Sequence, residues 1–308
     1  MEEFGGEIVS RNLKAQMFYA IDDNSRLGSK KRTATDEERQ EKIYSYAYKN
    51  NLRDLANNFA NYMKNEHGNI KMLKDIKEEH IIGFLETKEK EGVSSSTLNT
   101  YRTEMAKLGR MASNTYHCKI NMTCNDFKPH EKEKIRDIAM SKEHYDRFLK
   151  ATEDSNSQSR AAILVCREFG LRVSEVIKIR QEDIKSDKLH IDKSKGGRSR
   201  DIEIRKDSQR EALNNLIDKG KGDDKILNIK DDSVNKYLRE NMEKIGITDY
   251  RDSKSGVHSI RKMYAQERYE EELEKGLSHK EAWGAVSEEL GHSRDREDLF
   301  LTYCPDFR

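Results

Sequence analysis

One short stretch constrains the fold class more than any other part of the chain. Apolar and polar residues alternate with period two only in Leu189-His190-Ile191-Asp192 and again in Asp201-Ile202-Glu203-Ile204. Between them Lys195-Gly196-Gly197 suits a hairpin turn. Elsewhere in the 308 residues apolar side chains recur three and four positions apart, the spacing that lines one face of a helix. The chain is therefore expected to be mainly α, with one small β-hairpin or sheet.

The helical periodicity breaks into blocks. Residues 1–35 read as an N-terminal arm with a short helix near Ile8–Ile21, followed by Asp22-Asp23-Asn24-Ser25 and the basic run Gly28-Ser29-Lys30-Lys31-Arg32. Asp36 is placed to cap a helix carrying Ile43, Tyr44 and Ala47. Further apolar rows follow: Leu52, Leu55, Phe59, Tyr62 and Met63; then Ile76, Ile81, Ile82 and Leu85; then Leu98, Tyr101, Met105, Leu108 and Met111 behind the cap cluster Ser94-Ser95-Ser96. Together they predict an all-helical domain over 36–125. Pro129 and the charges Glu131, Lys132, Glu133 and Lys134 mark 126–140 as a linker. The pattern restarts at Ser141 for a second domain, α+β, over 141–308.

Composition narrows the function. No run approaches the roughly 18 apolar residues of a membrane span, and no secretory signal pattern opens the chain, so a cytoplasmic protein is expected. Cys118, Cys124, Cys166 and Cys304 form no disulfide framework, and His117-Cys118 with Cys124 lacks the second ligand pair of a zinc site, so no metal is expected. The net charge of +1 does not announce nucleic-acid binding, nor does either half: 24 Lys and Arg face 22 Asp and Glu in 1–140, and 34 face 35 in the remainder. A DNA partner must rest on local patches. One runs from Lys193 to Arg200 and holds Lys193, Lys195, Arg198 and Arg200 with no acid. Another holds Arg102, Lys107, Arg110 and Lys119, opposed only by Glu104. Such runs are more often plain solvated surface than phosphate contacts.

Five points in the second domain carry chemistry. In Gly170-Leu171-Arg172-Val173-Ser174-Glu175 a helix ends and Arg172 opens the next, sharing a face with Glu175. Seen alone this is an ordinary ion pair, but an arginine fork beside a sharp turn also matches two phosphate oxygens. Lys195 sits at the hairpin tip. His258 and Arg261, three apart on a helix with apolar neighbours, would need an anionic partner if turned inward. Leu290-Gly291-His292-Ser293 ends a helix. Tyr303 lies in the apolar Leu299–Cys304 segment, where a tyrosine is usually core.

Each signal is weak singly, but in this order they resemble the tyrosine recombinase (phage integrase) family. The likeness rests on the G-L-R-x-S-E turn, the K-G-G-R hairpin, the H-x-x-R helix, the L-G-H-S turn and a tyrosine near the end. It covers about 141–308. The preceding bundle resembles the family's SAM-like core-binding domain, on less specific grounds. His292 and Tyr303 stand eleven residues apart where many members have nine, so two additional residues must be absorbed in the charged Ser293–Glu297 loop. Only five residues follow Tyr303, which puts in doubt the tail contact that many relatives make with a neighbouring subunit.

A phosphodiester repels nucleophiles. A catalyst must neutralise its two non-bridging oxygens, activate a nucleophile and protonate the leaving oxygen. Arg172 and Arg261 suit the first task, Tyr303 the covalent attack, and His258 the exchange of its proton. The resemblance implies that Lys195 protonates the departing 5′-oxygen, that His292 hydrogen-bonds the phosphate and that Glu175 supports Arg172. It further implies a 3′-phosphotyrosyl intermediate, religation without a cofactor, and a double-stranded DNA partner clamped between the two domains. The helix at 94–114 would be a major-groove element. Four copies would assemble on DNA from a monomer or weak oligomer, with accessory DNA-bending proteins as possible partners and a nucleoid location when bound. The alternative within this chemistry is a relaxase-like or topoisomerase-like single-strand nicking enzyme. The full set of reactive residue types argues against a catalytically silent DNA-binding regulator.

Overall fold

The computed structural model describes residues 12–130, 138–192, 199–220, 224–250 and 256–307. The chain divides between Glu133 and Lys134 into two compact units.

The first unit is helical: α1 (Leu13–Asp23), α2 (Asp36–Glu41), α3 (Tyr46–Glu66), α4 (Glu78–Lys90) and α5 (Ser95–Tyr116). The apolar rows read from the sequence are its core. Leu52, Leu55, Ala56, Phe59 and Met63 line the buried face of α3, and Leu98, Met105, Leu108 and Met111 that of α5. Ser94 caps α5, its hydroxyl accepting from the Thr97 N–H at 3.3 Å.

Two expectations need correcting. Thr35, not Asp36, caps α2, in a reciprocal box with Glu38. That helix stops at Glu41 because Lys42 is extended. Ile43 then bridges to Ser25, and Ser45 caps a new helix holding Ala47. The helix expected within an arm is a packed member of this unit: α1 lies on α3 and α5 and buries Leu13, Met17, Ala20 and Ile21. The Tyr116 hydroxyl also donates to the Gln16 carbonyl at 2.9 Å. Ile21→Ala should therefore cost about 2–5 kcal/mol, the range for truncating a buried aliphatic. The measurement is the denaturant midpoint of the first unit's transition. An unchanged midpoint would restore the arm.

The second unit holds α6 (Lys142–Ala151), α7 (Gln158–Phe169), α8 (Val173–Val176), β1 (Lys188–Ile191), β2 (Arg200–Glu203), α9 (Asp207–Asp218), α10 (Asp231–Lys244), α11 (Gly256–Glu274), α12 (His279–Glu289) and α13 (Phe300–Tyr303). Strands β1 and β2 pair antiparallel, with Leu189 opposite Ile202 and Ile191 opposite Arg200, so the fold is mainly α with a small hairpin sheet. The central helix is α7, which packs on α9, α10 and α11. Helix α11 is shared between two apolar clusters. Val257, Ile260 and Met263 belong to the main core around α7, while Tyr264, Ala265 and Tyr269 join Trp283, Val286, Phe300 and Tyr303 in a smaller one. Side chains of α11 are thus held from both sides, and the candidate residues His258 and Arg261 lie on this helix. Among the described residues no helix is long and apolar enough to cross a membrane.

Candidate active site

The first arginine is set by the end of α7. Gly170 adopts φ +59, and a Cβ there would collide with the Tyr264 ring, so only glycine fits the turn. The chain then reverses and Arg172 becomes the first residue before α8. The Glu175 carboxylate accepts the Arg172 backbone N–H at 2.9 Å and its Nη1 at 3.0 Å. Glu175 is buried, with 5% of its surface exposed, so its charge has to be met by the surrounding guanidinium groups.

The second arginine comes from α11. Arg261 is fully buried. Nη1 donates to the Gly170 carbonyl and Nη2 to the Leu290 carbonyl, while Nη1 stands 3.8 Å from Glu175 Oε2. Its Cζ lies 5.4 Å from the centre of the Tyr303 ring. Burial pulls the guanidinium pKa below its ordinary value, with Tyr303 the largest opposing influence. The buried Nε has no hydrogen-bond partner among the described residues. An unsatisfied buried donor costs about 1–3 kcal/mol, a deficit that an anionic oxygen would relieve. His258, one turn earlier on α11, is half-buried with its ring 5.6 Å from that of Tyr303.

The histidine and the tyrosine follow α12. Gly291 takes φ +76 and turns the chain so that the His292 N–H bonds the Ser287 carbonyl at 2.9 Å. His292 Nε2 then lies 3.1 Å from Arg172 Nη2 and 3.1 Å from the Tyr303 hydroxyl. A guanidinium only donates, so this nitrogen is an acceptor, and Arg172 and the phenol compete for its single lone pair. The eleven-residue spacing is taken up by a turn through Ser293–Arg296 and a 3₁₀ turn over Glu297–Leu299. Trp283 fixes that segment: its Nε1 donates to the Arg296 carbonyl at 2.9 Å, and its ring packs on Phe300 and Tyr303.

Arg172, Glu175, His258, Arg261, His292 and Tyr303 are thus brought together in one unit, from α7–α8, α11 and α12–α13. Lys195, with Lys193 and Arg198, lies outside the described residues. The described residues on either side are joined by Ser199 Oγ donating to Asp192 Oδ1 at 3.0 Å.

Three residues read as DNA contacts are otherwise engaged. Arg200 points into the site, its two terminal nitrogens each 3.1 Å from one Glu175 oxygen. In the first unit the Lys107 amine is buried under α2, donating to the Arg39 and Lys42 carbonyls at 3.0 and 2.7 Å, and burial pushes its pKa down to about 8. A long aliphatic stem has carried its charge to unsatisfied helix-end carbonyls rather than to solvent. Arg102 donates to the Phe127 carbonyl at 3.0 Å, and Arg110 is half-buried on the same helix.

The sequence reading missed Glu289. Its carboxylate accepts from the Tyr264 hydroxyl at 2.9 Å, from Arg268 Nε and Nη2 at 3.2 and 3.1 Å and from Arg205 Nη1 at 2.7 Å. Those cations hold its pKa below the ordinary value against the opposing effect of burial. This cluster pins the end of α12 directly before Leu290-Gly291-His292. The chain's one tryptophan, Trp283, was also passed over; a lone Trp one helix before the L-G-H turn was the available signal.

Residues 139–295 match the model of the phage integrase family, just over half of the chain; Tyr303 lies beyond the matched stretch. No curated protein matches. Among solved structures, a lambda integrase tetramer bound to a Holliday junction is similar at 18% identity and a TM-score of 0.65, over 83% of this chain and 71% of its own. XerH site-specific recombinase bound to its difH substrate, in a pre-cleavage complex, is similar at 16% identity and 0.64, over 98% and 95%. The Tn1549 transposon integrase in complex with circular intermediate DNA is similar at 12% identity and 0.59, over 93% and 94%. At these identities the likeness concerns the fold.

Proposed function

The chain belongs to the phage integrase family of tyrosine recombinases, and from that premise we propose that it is a site-specific DNA recombinase that cuts and rejoins duplex DNA through a covalent bond to Tyr303. The observation that carries this reading is the Tyr303 hydroxyl 3.1 Å from His292 Nε2, with Arg172 on the same nitrogen and the buried Arg261 beside the ring.

In this reading the scissile phosphate enters between Arg172 and Arg261. One non-bridging oxygen takes the donors of Arg172, and the other takes those of Arg261, including the Nε that no described residue meets. Arg172 is drawn off His292, whose imidazole, protonated or in its other tautomer, then donates an Nε2–H to a phosphate oxygen. The phenol oxygen attacks phosphorus. Its proton passes to His258 as the P–O5′ bond breaks, and Lys195 protonates the departing O5′. The products are a 3′-phosphotyrosine and a 5′-hydroxyl. The phosphoester bond is conserved, so the incoming 5′-hydroxyl of another strand reverses the step without a nucleotide cofactor. Strand exchange between two duplexes requires four such sites, and we assign this chain a homotetramer on DNA.

The positive charge that catalysis needs comes from two arginines, so cleavage should not depend on a divalent metal. The test uses a nicked duplex carrying the site the protein selects from a random-sequence DNA pool. A denaturation-resistant adduct should form at an unchanged rate in chelator, its peptide map should place the DNA on Tyr303, and two intact duplexes should yield joined recombinants. A strict Mg²⁺ requirement for the adduct would overturn the mechanism. Adduct and relaxation without joined duplexes would turn the reading to a nicking enzyme.

A further inference from the structure

Arg200 stands on β2, the strand returning from the 193–198 connection, and its guanidinium is turned into the protein, 13% exposed. Every nitrogen of its fork is used. Nη1 and Nη2 hold the two oxygens of Glu175 at 3.1 Å each, and Nε donates to the Glu289 carbonyl at 2.9 Å. The packing is close: a Cβ added to Gly291 would lie 2.8 Å from Arg200 Nη1. The same Glu175 oxygens also receive the Arg172 side chain and backbone N–H, with Arg261 Nη1 at 3.8 Å. One buried carboxylate is therefore shared among three guanidinium groups.

We infer that Arg200 is a positioning residue for strand cleavage, occupying both oxygens of Glu175 so that Arg172 and Arg261 keep charge and donors for the scissile phosphate. The inference rests on the cleavage reading above. Among the described residues, three guanidinium groups with Arg200 present face the one carboxylate of Glu175. Without it, Glu175 loses the Arg200 fork and closes on Arg172 and Arg261. Half of the positive charge meant for the phosphate is then neutralised by the protein's own carboxylate. Arg200 also ties the hairpin strand to the Leu290–Gly291–His292 turn, so its loss loosens the register of His292 against Arg172.

The test compares wild type, Arg200→Met, Glu175→Gln and the double variant on the same nicked duplex. It reads site affinity with its salt dependence, the rate of adduct formation from the preformed complex, and thermal melting. Arg200→Met should bind within about threefold of wild type with an unchanged salt slope, while adduct formation slows about ten- to a hundredfold, the range for a displaced active-site group. Adding Glu175→Gln should recover part of the rate, because the competing charge is gone. A salt slope lowered by about one with a normal adduct rate would make Arg200 a phosphate contact and overturn the inference. So would single effects that multiply in the double variant, the signature of independent roles. If Arg200→Met does not fold, Arg200→Lys carries the same comparison: it keeps the charge but not the fork, and cleavage at the wild-type rate would overturn the inference. A wild-type adduct with unaffected variants rejects only the role of Arg200; no adduct from wild type rejects the cleavage reading as well.

Discussion

Tyr303→Phe should form no covalent DNA adduct, a loss of at least about 10⁴-fold, as expected for removal of an enzyme's nucleophile, and should still bind its site. The change deletes one oxygen. The ring stays against Trp283 and under the Arg261 guanidinium, so melting should barely move. The two other tyrosines of the same apolar cluster are poor substitutes for a physical reason. Tyr264 is buried with its hydroxyl given to Glu289, and burial raises its pKa, which disfavours the phenolate. Tyr269 is buried with its hydroxyl 2.7 Å from His279 Nδ1, and its pKa is raised by burial too. Among the described residues neither has a guanidinium over its ring, whereas Tyr303 has Arg261 at 5.4 Å. Incubation of Tyr303→Phe and Tyr264→Phe with the nicked duplex separates them. Tyr264→Phe should keep the adduct and lose stability, because Glu289 loses a buried donor. An adduct that survives Tyr303→Phe would move the nucleophile elsewhere.

The candidate site residues legible in the sequence share a property: local chain geometry sets their position. Gly170 and Gly291 each end a helix, and the reactive side chain follows within two residues. His258 and Arg261 face one way because three residues make nearly one helical turn. The hairpin was legible because period-two alternation occurs once. What stayed hidden depends on contacts between distant segments. In Lys193–Arg200 each basic residue looks alike, and only the pairing of β1 with β2 directs Arg200 onto Glu175, 25 residues away. Lys107 lies within the polar part of α5's pattern, yet its amine caps carbonyls that are 65 and 68 residues distant. Glu289 in Glu288-Glu289-Leu290-Gly291 reads as a solvated helix end until Arg205 and Arg268 arrive from β2's far side and α11. Residues 1–35 read as an arm ending in the polar and basic Asp22–Arg32 stretch, although Met17 and Ile21 are fully buried. Long charged side chains can serve the interior at their tips while their positions pattern as surface.

Lys195→Ala should cleave the ordinary site about 10²–10⁴-fold more slowly, the usual contribution of a general acid, yet cleave a sulfur-substituted site at close to the wild-type rate. The argument starts from the leaving group. An alkoxide must be protonated as the P–O5′ bond breaks, whereas a thiolate leaves readily, its thiol having a pKa near about 8.5 in cysteine. A substrate with sulfur at the bridging 5′ position therefore removes the need for the acid while leaving the non-bridging oxygens unchanged. Lys195 lies outside the described residues, but the strand that returns from it is anchored by Arg200 to Glu175 and to the Glu289 carbonyl, next to Arg172 and Arg261. The family resemblance assigns a lysine at this place in the sequence to the leaving oxygen, and that assignment is what the substrate tests. Arg172→Ala supplies the contrast. On the proposed mechanism its guanidinium serves the non-bridging oxygens, so sulfur at the bridging position should not rescue it. Single-turnover cleavage of both substrates by both variants gives the four rates required. If sulfur fails to rescue Lys195→Ala, the lysine holds the phosphate rather than protonating the leaving oxygen, and Lys193→Ala, two positions away in the sequence, becomes the variant in which rescue should be sought.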